Sequence, residues 1–268
     1  MKGPEGKNSA AKTSWENVSQ WYDTMLQSGD TYQSKVILPN VLRILDPKPG
    51  KHIVELGCGQ GYFSEIFARM GASVIGLDAS KTLIEIAGKR VEKEAYRSKV
   101  LFITGDAANA TAIASKTADA VVVILALQNM KDLSKVAGEM QRILKQDGRA
   151  IIVLNHPVFR IPKHSDWGFD EVTKTQYRKV SKYLSELTLD IDMEPGRTAI
   201  GMKGAVTKSF HRSLQTYTKS FANAGLAITR IEEWISHKQS QKGPRQVAED
   251  TARKEIPLFM CLELKKLS

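Results

Sequence analysis

The chain has 268 residues, of which 42% are hydrophobic, enough for one domain with a sizeable core and an insertion but short for two independent domains. Its formal net charge of +10 is spread along the chain without a block of like charges, so it reads as a solvated surface; nucleic acid is permitted as a partner but not favoured. Cys58 and Cys261 belong to no C-x-x-C pair, which argues against a disulfide framework and a structural zinc site.

The N-terminus is polar and the longest apolar run, Ala120 to Leu127, is far too short to span a bilayer, so no membrane contact, a cytoplasmic location and no metal are expected. Residues 1–14 are expected to form a disordered tail. Residues 15–48 come next as an N-terminal helical segment and a first core helix. In "SWENVSQWYDTM", Trp15, Val18, Trp21, Tyr22 and Met25 share one broad helix face.

From Lys51 to Leu154, short β-branched runs alternate with helical patterns. "HIVEL", "SVIGLD", "VLFITGD", "AVVVIL" and "AIIVL" predict strands. Between them, Phe63, Ile66, Phe67 and Met70 line one helix, closed by Gly71 as a C-terminal cap. Ser80 caps the next, which carries Leu83, Ile84, Ala87 and Val91. A third holds Leu133, Val136, Ala137, Met140 and Ile143. Strands this continuously apolar are buried on both faces, which predicts an α/β fold with a doubly wound parallel sheet and helices on both sides.

After Leu154 the pattern changes. "NHPVFRIPKHSDWGFD" has no period and is expected to be a long functional loop. "TLDIDMEP" and "GAVTKSFH" alternate, predicting a small antiparallel extension, so the insertion runs from about 156 to 210 within a domain covering 49–268. A helix is expected over Arg212 to Ala224. "LAITRIEEWIS" and "IPLFMCLELKKL" follow as closing strands, joined by an exposed polar connection.

The stretch "VELGCGQGYFSEIFARMGASVIGLDAS", Val54 to Ser80, carries the chemistry. Gly57-Cys58-Gly59-Gln60-Gly61 ends a strand and enters a helix, making a tight turn whose backbone a nucleotide or nucleoside can approach. Asp78, about 20 residues on at the end of the next strand, suits both hydroxyls of a ribose. A dinucleotide fingerprint wants its third glycine at position 62, which is Tyr62 here. Glu55, two residues before the first glycine, would repel a pyrophosphate yet suits an ammonium or sulfonium. That points away from NAD.

With "VELGCGQG", Asp78 and "ITGDAA" in this order, the chain resembles the class I S-adenosylmethionine-dependent methyltransferases. Segments such as "WENVSQWYDTML", "LALQNMKDL" and "SFHRSLQTYTKSFANAGL" resemble a bacterial type 11 group of that class. The resemblance implies a Rossmann-like seven-stranded sheet with its last strand antiparallel, and S-adenosylmethionine as cofactor with S-adenosylhomocysteine as product. Cofactor contacts are then expected from Glu55, Gly57, Cys58, Gly59, Gln60, Gly61, Asp78, Ala79, Asp106, Ala107 and Leu125. Tyr22 is expected as an aromatic lid over the sulfonium.

By the same resemblance, acceptors lie over the carboxyl ends of strands four and five. Asn129, Asn155, His156, Arg160, His164, Trp167 and Arg212 are the expected acceptor-side residues. An oxygen acceptor needs a base, for which His156 is the first candidate and His211 the second, with His164 third. "LALQNM" stands where methyltransferases of nucleobase amines or glutamine side chains resemble one another in an Asn/Asp-Pro-Pro-aromatic motif, which counts against those substrates. The expected function is methyl transfer to an oxygen or nitrogen of a small organic molecule. An RNA methyltransferase and a non-catalytic cofactor-binding protein stand as alternatives. Oligomeric state is not readable from the sequence.

Overall fold

The computed structural model describes Trp15, residues 29–193 and residues 206–267. The predicted tail, Val18, Trp21, Tyr22 and Met25, and the connection within the second half of the insertion lie outside them.

Seven strands form one sheet: β1 (His52–Leu56), β2 (Ser73–Asp78), β3 (Val100–Thr104), β4 (Ala118–Ile124), β5 (Leu144–Asn155), β10 (Leu226–Trp234) and β11 (Phe259–Lys266). Their spatial order is β10-β11-β5-β4-β1-β2-β3. Neighbours from β3 to β5 pair in parallel, whereas β11 runs antiparallel to both β5 and β10. Chain order reverses at β1, between β2 and β4, and such a switch point opens a crevice at the carboxyl ends of the strands.

Helices cover both faces. On one lie α1 (Leu38–Leu45), α2 (Tyr62–Arg69) and α3 (Lys81–Val91), with Ile37, Val41, Phe67 and Val91 packed against Ile53, Val74 and Val122. On the other lie α4 (Leu133–Ile143) and α5 (Leu214–Asn223), with Val136, Met140 and Phe221 packed against Val121, Ile152 and Leu262. All five apolar positions predicted for α4 are buried. Local signals set the ends. Ser80 Oγ accepts from Leu83 N at 3.2 Å, a cap worth about 1 kcal/mol. Gly71, at φ +101°, ends α2 in a Schellman motif, with Gly71 N donating to Ala68 O and Ala72 N to Phe67 O.

Three expectations change. Helix α2 buries Phe63, Ser64, Phe67 and Ala68; Ile66 is half-buried, and Met70 is exposed because the helix stops at Arg69. The expected long loop contains a strand, β6 (Ser165–Asp170), paired antiparallel with β7 (Thr175–Val180) by backbone hydrogen bonds that no apolar alternation announces. The expected polar connection contains α6 (Gln246–Glu255), whose one buried residue is Ala252. A helix polar nearly all round gives no periodic signal. The second ribbon of the insertion, β8 (Leu187–Asp192) with β9 (Val206–His211), is antiparallel as predicted.

Candidate active site

The glycine turn leaves β1 at the switch point. Gly57, Gly59 and Gly61 all have positive φ, at +76°, +55° and +81°. Two of them answer to packing as well as to the turn. A Cβ on Gly57 would lie 2.5 Å from Ala126 Cβ, and one on Gly61 would lie 2.6 Å from Phe102 Cζ. The turn is pinned to β2. Gly57 N donates to Leu77 O at 2.7 Å, and Gly59 N donates to Asp78 Oδ2 at 2.9 Å.

Asp78 Oδ1 also accepts from Ser80 N at 2.8 Å, so this one carboxylate joins the turn to the loop after β2. A carboxylate has about four acceptor positions, so this role is compatible with a hydroxyl-bearing ligand. Glu55 lies behind the turn, 1% exposed, and accepts from Ser64 Oγ at 2.5 Å. Burial pushes its carboxyl up to about 8, the Ser64 hydroxyl opposing and the Asp78 charge adding to it. It is therefore mostly protonated at neutral pH, ready to ionise beside a cation. Burial likewise pushes the Cys58 thiol well up, which makes it an inert wall. Gln60 is 1% exposed and its Nε2 has no hydrogen-bond partner among the described residues, an orphan donor in the turn itself.

Further along the crevice, Ala79 is exposed and Asp106 is an exposed N-cap that accepts from Ala108 N at 2.9 Å, with Ala107 buried beside it. Leu125, just past β4, has φ +51°, a conformation that costs a bulky residue about 1–3 kcal/mol. It is held there by its own N–H on Val153 O at 2.8 Å and by Gln128 Nε2, which donates to Leu125 O at 2.7 Å. The backbone strain was invisible in the sequence; non-glycine residues carry no mark of positive φ.

Residues 54–152 match the family model described as "Methyltransferase domain". Over these residues the chain is similar to that family. It is 32% identical over 156 residues to a demethylmenaquinone methyltransferase of Thermobifida fusca, covering 58% of this chain and 65% of that protein. A demethylmenaquinone methyltransferase of Paenarthrobacter aurescens is 31% identical over 150 residues, covering 54% and 55%. The chain thus spans between about half and two thirds of the length of these relatives. Among solved structures, an S-adenosylmethionine-dependent methyltransferase from Mesorhizobium loti superposes with a TM-score of 0.65 at 22% identity, covering 88% of this chain and 99% of that one. That likeness is one of fold. The turn suits S-adenosylmethionine, the ligand in that neighbour's name: among the described residues an unpartnered amide lies within it, and an acid stands at each side.

At the ends of β5 and β9, the histidines divide. His156 follows β5 but its side chain is 2% exposed, with Nε2 2.7 Å from Glu233 Oε1 and Nδ1 accepting from Val158 N at 3.3 Å. Both ring nitrogens are engaged, and burial holds the imidazole below its ordinary pKa against the pull of Glu233. His156 thus fastens the start of the insertion to β10. His211 closes β9, which packs against the Leu127–Asn129 turn beyond β4, and its Nε2 lies 2.9 Å from Tyr183 O. Burial lowers its pKa too.

Arg212 is 6% exposed and gives its Nη2 to Met130 O at 2.8 Å and Lys131 O at 2.7 Å, closing the loop after β4, while its Nη1 has no partner among the described residues. Asn129 Nδ2 reaches Leu125 O at 3.4 Å, Asn155 Oδ1 accepts from Arg160 Nη1 at 2.7 Å, and the His164 backbone anchors Ser181. Trp167 lies on β6 beneath Arg178. A cavity of about 420 Å³ lined by His52, Ile75, Lys99 and Thr117 sits at the amino ends of the strands, opposite the glycine turn. Among the described residues no cluster of three His, Cys, Asp or Glu side chains is placed to hold a metal, and no helix is long and apolar enough to cross a membrane.

Proposed function

We propose that the chain transfers a methyl group from S-adenosylmethionine to an oxygen or nitrogen of a small organic molecule. The observation that carries this reading is the Gly57–Gly61 turn at the switch point, tied through Gly59 N to the Asp78 carboxylate. On this reading the turn residues, Asp78, Ala79, Asp106, Ala107 and Leu125 hold the cofactor, and Glu55 ionises behind its charged end. Bound S-adenosylmethionine supplies an activated methyl group, so the protein's share is alignment and exclusion of water.

Asp78 sets the position of the ribose by holding the turn and the β2 loop at fixed distance. Gln60 Nε2 gains an acceptor, which relieves a buried donor otherwise left without one. Leu125, strained and clamped, gives a rigid wall between the turn and the acceptor. With His156 tied to Glu233, the proton of an alcohol or phenol acceptor passes to His211, or the acceptor arrives already nucleophilic. The names of the relatives add quinone-type acceptors to those worth testing. The experiment is incubation with methyl-labelled cofactor and a metabolite panel that includes phenols, amines, carboxylic acids and reduced quinones. Label in a small-molecule product supports the reading. Label only in added RNA, with salt-sensitive binding, would replace it with the nucleic-acid alternative.

A further inference from the structure

A second cavity, of about 180 Å³, lies beyond the end of β5 and is lined by Tyr32, Arg160, Trp167, Arg178, Ser236 and Arg253 among others. These residues come from the start of the described chain, the loop after β5, the β6–β7 ribbon, the segment after β10 and α6. Three guanidinium groups therefore converge from three separate elements, and among the described residues no carboxylate lines the cavity.

Each arginine is held by neutral partners. Arg160 Nη1 donates to Asn155 Oδ1 at 2.7 Å, and its guanidinium lies 5.4 Å from the Phe259 ring. Arg178 gives Nε to Phe159 O at 2.8 Å and Nη2 to Ser165 Oγ at 3.0 Å, and lies 5.0 Å from the Trp167 ring centroid. Arg253 Nε donates to Ser240 Oγ at 3.1 Å. Asp166 acts on Arg178, and Asp250 feels Arg253, through space alone. Burial holds Arg160 and Arg178 below the ordinary arginine value, and the Arg178 charge adds to that on Arg160. Among the described residues these fixed forks leave N–H donors uncommitted, the arrangement that oxyanions match best. Tyr32, whose hydroxyl lies 3.3 Å from Ser236 Oγ, adds a further polar edge.

We propose that this cavity is an oxyanion subsite that holds the carboxylate or phosphate group of the methyl acceptor. The position supports the link: Arg160 is fixed by Asn155, the last residue of β5, and β5 adjoins β4, whose end carries the strained Leu125. The inference rests on the methyl-transfer reading above and narrows its acceptors to acids or phosphate esters.

The test uses the full chain with inorganic phosphate and benzoate as separate probes, followed by calorimetry and by Trp fluorescence. Wild type should bind at least one probe, with a signal that disappears in Trp167→Phe. Arg178→Gln and Arg253→Gln should each weaken binding about tenfold or more, the scale of a lost charge-assisted contact. Affinity for S-adenosylhomocysteine should stay unchanged in both, which also shows that they fold. Preference for benzoate identifies a carboxylate acceptor and preference for phosphate a phosphate ester. Absence of binding by either probe, or equal binding by wild type and both variants, overturns the subsite while leaving methyl transfer standing. Oxyanion binding by a wild-type protein that fails to bind S-adenosylhomocysteine overturns the methyl-transfer reading and, with it, the acceptor role of the subsite.

Discussion

Replacing Glu55 by glutamine probes the electrostatics of the cofactor turn at their most perturbed point. The carboxyl is buried against Ser64 and stands at about 8, against an ordinary 4.5. The native state therefore binds this proton more tightly than the unfolded chain does. Its contribution to stability is complete below pH 4.5, declines as pH rises, and is gone once pH passes 8. Carried from 4.5 to 8 at about 1.36 kcal/mol per pH unit, the loss is on the order of 5 kcal/mol. Glutamine keeps the shape and an oxygen for Ser64 Oγ but cannot ionise, so its stability should lack this decline. Urea unfolding of both proteins from about pH 5.5 to about pH 9 measures the difference at each pH. The comparison matters because His156 and His211, held below the ordinary imidazole value, act in the opposite sense in both proteins. The variant should gain several kcal/mol on wild type between the two ends of the range. A difference that stays constant with pH would show that Glu55 does not titrate there, and the account of a protonated acid behind the turn would fall.

Asp78→Ala should weaken S-adenosylhomocysteine binding by about 1.5–3 kcal/mol, the range for bonds to a charged group, and lower thermal stability because Gly59 N and Ser80 N lose their acceptor; unchanged calorimetric affinity would remove Asp78 from the site. Gly61→Ala should cost about 1–3 kcal/mol in urea unfolding, since it combines a φ of +81° with a Cβ 2.6 Å from Phe102, and wild-type stability would refute that packing argument. His156→Gln should lower the melting temperature yet keep the ascending limb of the turnover pH profile, whereas His211→Ala should abolish that limb and reduce turnover of an alcohol or phenol about 10²–10⁴-fold. The opposite pattern would restore His156 as the base.

The sequence by itself determined what is encoded locally. Strands β1 and β2 were legible to the residue because "HIVEL" and "SVIGLD" are short β-branched runs bounded by turns. Ser80 and Gly71 marked helix ends because capping satisfies backbone groups within a few residues. The glycine turn and Asp78 were readable because their spacing follows from a strand–turn–helix–strand unit of fixed length. Tertiary structure decided whatever depends on partners far along the chain. Glu233, 77 residues from His156, fastens that imidazole to β10. Ala126 and Phe102 show that two of the three glycines are required by packing as much as by any ligand. The Arg160, Arg178 and Arg253 cluster exists because β6, β7 and α6 fold back beside the end of β5, and those elements are held by backbone pairing and polar contacts that leave no hydrophobic period. A charge's neighbours, unlike a helix's apolar face, have no fixed spacing in sequence, so their chemistry emerges only when the chain has folded.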